Sequence, residues 1–376
     1  MSDYIVMLPK QNAAPCASRL PVRALLRKSL IASIASAMTL CAVPVWAATS
    51  SAETSKTAST VEKLDKPTDM PPQGAQGLYQ FDGSASITDP SNPFDVPRFV
   101  LKKTSAYSAY QRGFYLTAFA LATKLAGMDD VHAQTLLGEL YLKGNGVEQD
   151  LKEAANWFEI AADKGDREAQ FNIGMLYAQG QGVEKNLDKA LDYFQKAAAQ
   201  GQKNAQFNLG LLYLRGQLVE RDMTKAMDLL TKSAQQGVAA AQYTLANLYQ
   251  SDFFPAPNLD QAAYWMQRAA QGGFVDAQLE FGLMLFHGKG VRQDFSAARA
   301  WLKQAADAGS ILAQNRLARI LARGYGQPAD PIDAAKYYLL SKRAGKSDDW
   351  LEKFFQELPD KEKQLAINAL KAHTLW

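Results

Sequence analysis

The sequence predicts an all-α, right-handed α-α superhelical solenoid of about six 36-residue helical hairpins, with helical caps at both ends. Three observations predict it. The dipeptide Ala-Gln recurs at 133, 169, 205, 241, 277 and 313, a constant step of 36 residues. A Gly stands 32 residues after each Ala (Gly165, Gly201, Gly237, Gly273, Gly309, Gly345), and another Ala 21 residues after it (Ala154, Ala190, Ala226, Ala262, Ala298, Ala334). Between these marks apolar residues keep helical spacing, and Gly-rich stretches interrupt it. A fixed period of about 20–50 residues marks units that stack, because one such hairpin cannot bury its own apolar face.

Within a unit the residues divide into two helices. In the second unit Ala169, Ile173, Leu176 and Tyr177 share one helical face. Gly174 interrupts that helix, as do Gly138, Gly210 and Gly282. Gly costs roughly 1 kcal/mol against Ala there, so its return predicts a close crossing by another helix. Gly180 and Gly182 end the first helix, and Asn186 caps the second, with Asp150, Asp222, Asn258 and Asp294 in the same place elsewhere. Ala190, Tyr193, Phe194, Ala197 and Ala198 give the second helix its apolar face, small against large.

Ala133, Gln134, Leu137, Gly138, Leu140, Tyr141, Gly144, Gly146, Val147, Asp150, Ala154, Trp157, Ala161, Ala162 and Gly165 together resemble the Sel1-like repeat, a 36-residue relative of the tetratricopeptide repeat. The resemblance covers about 118–358. It implies the fold more than a function, since the matching residues are structural. Bacterial envelope members of that family often act as regulators or scaffolds, so it also implies an interaction protein. The Tyr110 to Ala118 stretch resembles the opening half-repeat of bacterial members.

Taken in order, residues 1–47 read as an export signal: five basic groups before Ser29, a short apolar run to Val45, and small residues placed for cleavage after Ala47. The alternative is a retained inner-membrane anchor at 29–46, although that run is short for a span of about 20 residues and contains Pro44. Export places the mature protein in the bacterial periplasm or outside the cell, with no membrane span. Cleavage removes Lys10, Arg19, Arg23, Arg27, Lys28 and Asp3, which turns the net charge of +3 into −1. That balance argues against a nucleic-acid partner, which needs a basic stripe. Cleavage also removes Cys16 and Cys41, the two cysteines, leaving no disulfide and no thiol nucleophile.

Residues 48–97 lack helical periodicity and read as a flexible low-complexity linker in which Leu78, Tyr79 and Phe81 form a candidate docking peptide. Residues 98–132 read as an N-terminal helical cap, with Asp129 where a unit's closing Gly belongs. The six repeats occupy 133–348 and the C-terminal capping helices 349–376, the last opened by Pro359. Two units depart from pattern. Leu218 replaces the second loop Gly of the third, and the fourth loop carries Phe253 and Phe254, a possible loop contact for a partner.

The tetratricopeptide resemblance implies that the first helix of each hairpin lines a concave face. Transferred through the Leu-Gly-x-x-Tyr core, that face holds Phe171, Met175, Phe207, Leu211, Leu214, Tyr243, Leu279, Leu283 and Phe286, with Arg319 and Arg323 making its C-terminal end basic. The expected partner is another protein, an unidentified envelope protein or peptide with an apolar stripe and acidic residues at one end. The alternative is that tight coiling buries these side chains.

No catalytic, cofactor or metal motif is present in the sequence, and the chain reads as no enzyme. His132, His287 and His373 lack metal-ligand spacing, and Gly144-Asn145-Gly146 follows a helix, presenting the wrong dipole end to a phosphate. Cysteine-rich relatives linked to β-lactam binding staple each hairpin with a disulfide, which this chain lacks. The competing reading is an envelope enzyme or glycan-binding module that uses the basic end.

Overall fold

A computed structural model describes residues 103–251 and 256–373; the expected leader, the linker with its docking peptide, and Phe253 and Phe254 lie outside the described residues. The described residues form sixteen α-helices and no strand. Helices α1 (Lys103–Gln111) and α2 (Tyr115–Ala126) precede six hairpins: α3 (Val131–Lys143) with α4 (Leu151–Asp163), α5 (Arg167–Gln179) with α6 (Leu187–Ala199), α7 (Lys203–Arg215) with α8 (Met223–Gln235), α9 (Ala239–Gln250) with α10 (Leu259–Gln271), α11 (Val275–His287) with α12 (Phe295–Asp307), and α13 (Ile311–Arg323) with α14 (Pro331–Arg343). Helices α15 (Asp349–Glu357) and α16 (Asp360–His373) follow, and each helix packs on its neighbours in sequence, as a solenoid requires. Helix α16 is the exception: it turns back and packs chiefly on α14.

The two helices of a hairpin play different parts. The second is amphipathic: Ala190, Tyr193, Phe194, Ala197 and Ala198 of α6 are buried while Asp188, Asp192 and Lys196 face water. The first is buried almost all round; in α5 every residue from Ala169 to Ala178 is buried. It is held between its own second helix, the preceding hairpin and the first helices on either side.

The expected caps hold the hairpin ends. Asp150, Asn186, Asp222, Asn258 and Asp294 each accept a backbone N–H of the second helix. The helical glycines mark close crossings: a Cβ on Gly138 would lie 2.6 Å from the Phe158 ring, and one on Gly210 3.0 Å from Leu230. Asp129 takes the left-handed conformation (φ 67°) of the closing glycines it replaces.

The Gln of each Ala-Gln pair is buried and joins one hairpin to the next. Its Nε2 donates to an alanine carbonyl eight residues earlier: Gln134 to Ala126, Gln170 to Ala162, Gln206 to Ala198, Gln242 to Ala234, Gln278 to Ala270 and Gln314 to Ala306. A side chain near the end of the same hairpin completes the first three, as Lys164, Gln200 and Gln236 donate to Oε1 of Gln134, Gln170 and Gln206. The matching positions of the last three hairpins are Gly272, Ala308 and Ala344, which carry no donor, and Gln278 Oε1 is left buried without a partner.

Candidate partner-binding surface

Consecutive first helices lie side by side, close enough for Asn208 Nδ2 to reach Met175 Sδ at 3.8 Å. This closeness closes much of the expected stripe. Phe171, Met175, Phe207, Leu211, Leu214 and Leu279 are all buried. The Phe171 ring meets Phe194 at 5.9 Å; Phe207, Leu211 and Leu214 share a core with Leu230 and Leu245; Leu279 packs with Leu302 and Leu317. A partner would reach these six only by parting two hairpins.

Tyr243, Leu283 and Phe286 remain partly exposed, on α9 and α11. The Tyr243 ring leans on Phe274 at 4.9 Å. Phe286 sits edge-on to Phe295 (5.1 Å) and Tyr325 (5.2 Å), which ties hairpin five to the loop of hairpin six. Two carboxylates accompany them. Asp276 and Glu280 are one helical turn apart on α11, both half-buried, and neither has an ion pair among the described residues. Burial raises the Asp276 carboxyl. Burial, then repulsion from Asp276, raises that of Glu280, with Lys289 offsetting part of the effect. Burial and the same two carboxylates push the Tyr243 hydroxyl up to about 12, against its hydrogen bond with Asn247. Sequence reasoning missed this acidic pair, yet its signal was present: hairpin five alone carries an acid both one residue before and three residues after its repeat alanine, a like-charge i,i+4 pair.

The C-terminal end differs from expectation. Arg319 gives a two-pronged bond to Asp348, Nε at 2.8 Å and Nη2 at 2.7 Å, and Asn315 donates to the same carboxylate at 3.0 Å. Burial alone would raise the Asp348 carboxyl, but these donors outweigh it and hold it at about 2. Arg319 and the exposed Arg323 both lie over the Trp350 ring, at 5.4 and 4.6 Å. Helix α15 thus covers and partly neutralises an end that looks basic in sequence, because the residues that do so come from outside the repeats.

Leu218 has a local effect. It keeps the left-handed backbone of the glycine it replaces (φ 64°). At the matching Gly182 a Cβ would come 2.0 Å from the Leu151 carbonyl oxygen of the preceding hairpin, so a side chain there holds the loop off its neighbour. A narrow crevice between hairpins two and three follows, walled by Leu187, Leu191, Phe194, Leu211, Leu212 and Leu218. Among the described residues no group of His, Cys, Asp and Glu is placed to hold a metal ion, and no helix is long and apolar enough to cross a membrane.

Comparison with known proteins gives one family. The model described as Sel1 repeat matches at 131–166, 167–202, 203–238, 239–274, 275–310 and 311–346. A solved Sel1 repeat protein from Oxalobacter formigenes is 29% identical and aligns with a TM-score of 0.57, covering 64% of this chain and 99% of that one. A protective antigen present in uropathogenic Escherichia coli, displaying an SLR fold, is 25% identical at a TM-score of 0.44, covering 72% of this chain and 68% of its own. An immunity protein from Pseudomonas aeruginosa is 21% identical at a TM-score of 0.36, covering 57% and 81%. No curated protein matches the chain.

Proposed function

Because the chain belongs to the Sel1 repeat family, whose members generally serve as scaffolds for protein–protein interaction, we propose that it is an exported adaptor that holds a partner protein along the first-helix face of hairpins four and five. The observation that carries the reading is the pairing of partly exposed Tyr243, Leu283 and Phe286 with two half-buried carboxylates that make no ion pair among the described residues. Burying charge without a partner is unfavourable for the isolated chain and becomes favourable when a binding partner brings the missing charge. The partner is therefore a helix or peptide offering an apolar residue beside a Lys or Arg, the reverse of the acidic partner expected from the sequence. Export follows from the basic, apolar, small-residue order of residues 1–47, and a regulatory role fits an adaptor without chemistry of its own.

The test places a photo-crosslinking side chain at Leu283 and, as a control, at the exposed Tyr264 on α10, in cells that express the chain. A discrete adduct from Leu283 that is absent from Tyr264 and lost with Glu280→Lys supports the reading. Equal labelling from both positions overturns it. Fractionation of the same cells, with the mass of the mature N-terminus, decides export: a cytoplasmic chain that begins at Met1 removes that part.

A further inference from the structure

We propose that residues 78–81 of this same chain dock on an aromatic patch at the N-terminal end of the solenoid. The patch comprises Tyr107 on α1 and Phe114, Tyr115 and Leu116 at the start of α2, exposed by 53%, 60%, 38% and 76%. Tyr110 joins them, stacked on Tyr107 at 6.2 Å and tilted against Tyr115 at 5.7 Å, with Lys143 donating to its hydroxyl at 2.7 Å. An apolar group of this kind at the end of a repeat array is a docking surface or a liability, since terminal units normally turn a polar face to water.

Register shows how unusual these residues are. Phe114 occupies the N-cap position filled by Asp150, Asn186, Asp222, Asn258, Asp294 and Asp330 in the six hairpins, and makes no side-chain cap bond. Leu116 matches Lys152, Asp188, Thr224, Asp260 and Ser296. The one apolar counterpart is Ile332, at the far end of the array, and the chain covers it itself: Ile332 packs in a cluster with Ala366 of the returning helix α16, Leu358 and Phe354. The same register position is apolar at both ends and polar between them, which assigns the N-terminal patch to the chain's own terminal segment.

Within residues 48–97, Leu78, Tyr79 and Phe81 form the densest group of large apolar side chains, three in four positions. The chain enters the solenoid at Lys103, one turn before Tyr107. The 22 steps from Phe81 to Lys103 span at most about 70 Å at roughly 3.3 Å per residue, ample to return to the patch. Both parts survive cleavage after Ala47.

Hydrogen exchange of the full chain, read by mass spectrometry, tests the docking. Amides 77–83 are expected to exchange roughly tenfold more slowly than amides 60–70, with the difference unchanged on dilution. Phe114→Asp with Leu116→Ser should abolish it; the Asp supplies the missing N-cap, so the melting temperature should hold. Leu78→Ser with Phe81→Ser should abolish it as well without touching the solenoid. Absent protection in the wild-type chain, or protection that survives either double substitution, overturns the proposal. Protection that fades on dilution overturns it in favour of a second copy of the chain.

Discussion

The unpaired Gln278 makes a gain of stability predictable. Gln170 and Gln206 have their buried Oε1 atoms satisfied by Gln200 and Gln236, at 2.9 and 2.8 Å. Gln200 also donates to the Gly165 carbonyl at 3.0 Å. Ala308 stands at the matching position of hairpin five, and its backbone (φ −76°, ψ 5°) is close to that of Gln200 (−84°, 7°) and Gln236 (−80°, 7°). Ala308→Gln should therefore reach Gln278 Oε1 without any backbone change. A buried acceptor left unpaired costs about 1–3 kcal/mol, and the bond that replaces it adds about 0.5–1.5 kcal/mol. Ordering an exposed Gln side chain opposes this by up to about 2 kcal/mol. The balance is a gain of about 1 kcal/mol, or a rise of roughly 2–4 °C in melting temperature. Urea unfolding should show a higher midpoint at constant slope, with exchange slowed most in α11 and α12. Ala308→Glu is the control, having the same shape without a donor. The reasoning fails if Glu stabilises as much as Gln, or if the gain from Gln persists when Gln278→Leu has removed its target.

Three further outcomes follow from the geometry. The Asp348 carboxyl is held at about 2 in the folded chain, below its usual unfolded value of about 3.9. Its stabilisation of α15 is thus complete above about pH 4 and is lost as pH falls toward about 2; Trp350 emission should report α15 detaching before the far-ultraviolet helix signal falls, and Asp348→Asn should detach it already at pH 7. Gly138→Ala should destabilise by about 1–2 kcal/mol despite better helix propensity, because its Cβ would lie 2.6 Å from the fully buried Phe158 ring, whereas Gly210→Ala, whose Cβ would lie 3.0 Å from Leu230 Cγ and so asks a smaller shift of an equally buried neighbour, should cost less; thermal melts that rank the two the other way refute the crossing argument. The Glu280 carboxyl is raised, so the folded chain holds that proton more tightly than the unfolded one, and the ionised group opposes folding above its raised value. Glu280→Gln should therefore raise the melting temperature at pH 7 while weakening partner binding, a trade of stability for function; a variant that melts lower, or binds a Lys-bearing partner as well as wild type, contradicts the assignment.

The sequence by itself determined the helical hairpins, their 36-residue period, their caps and the glycines at crossings, because each is a short-range signal that recurs in register along the repeats, the crossing glycine in four of the six. It also marked the deviants, Leu218, Asp129 and the fourth loop, as breaks in a pattern. Tertiary structure decided which side chains a partner can reach. A helical face is legible from spacing, but the distance between successive first helices is not, and that distance buries Phe171, Phe207 and Leu211 while sparing Tyr243 and Phe286. Charge was misleading for the same reason. Arg319 and Arg323 lie in the repeat and Asp348 and Trp350 beyond it, and only folding α15 back on the last hairpin brings a counter-charge to Arg319 and a ring to both arginines, while Asp276 and Glu280 stay half-buried with no ion pair among the described residues.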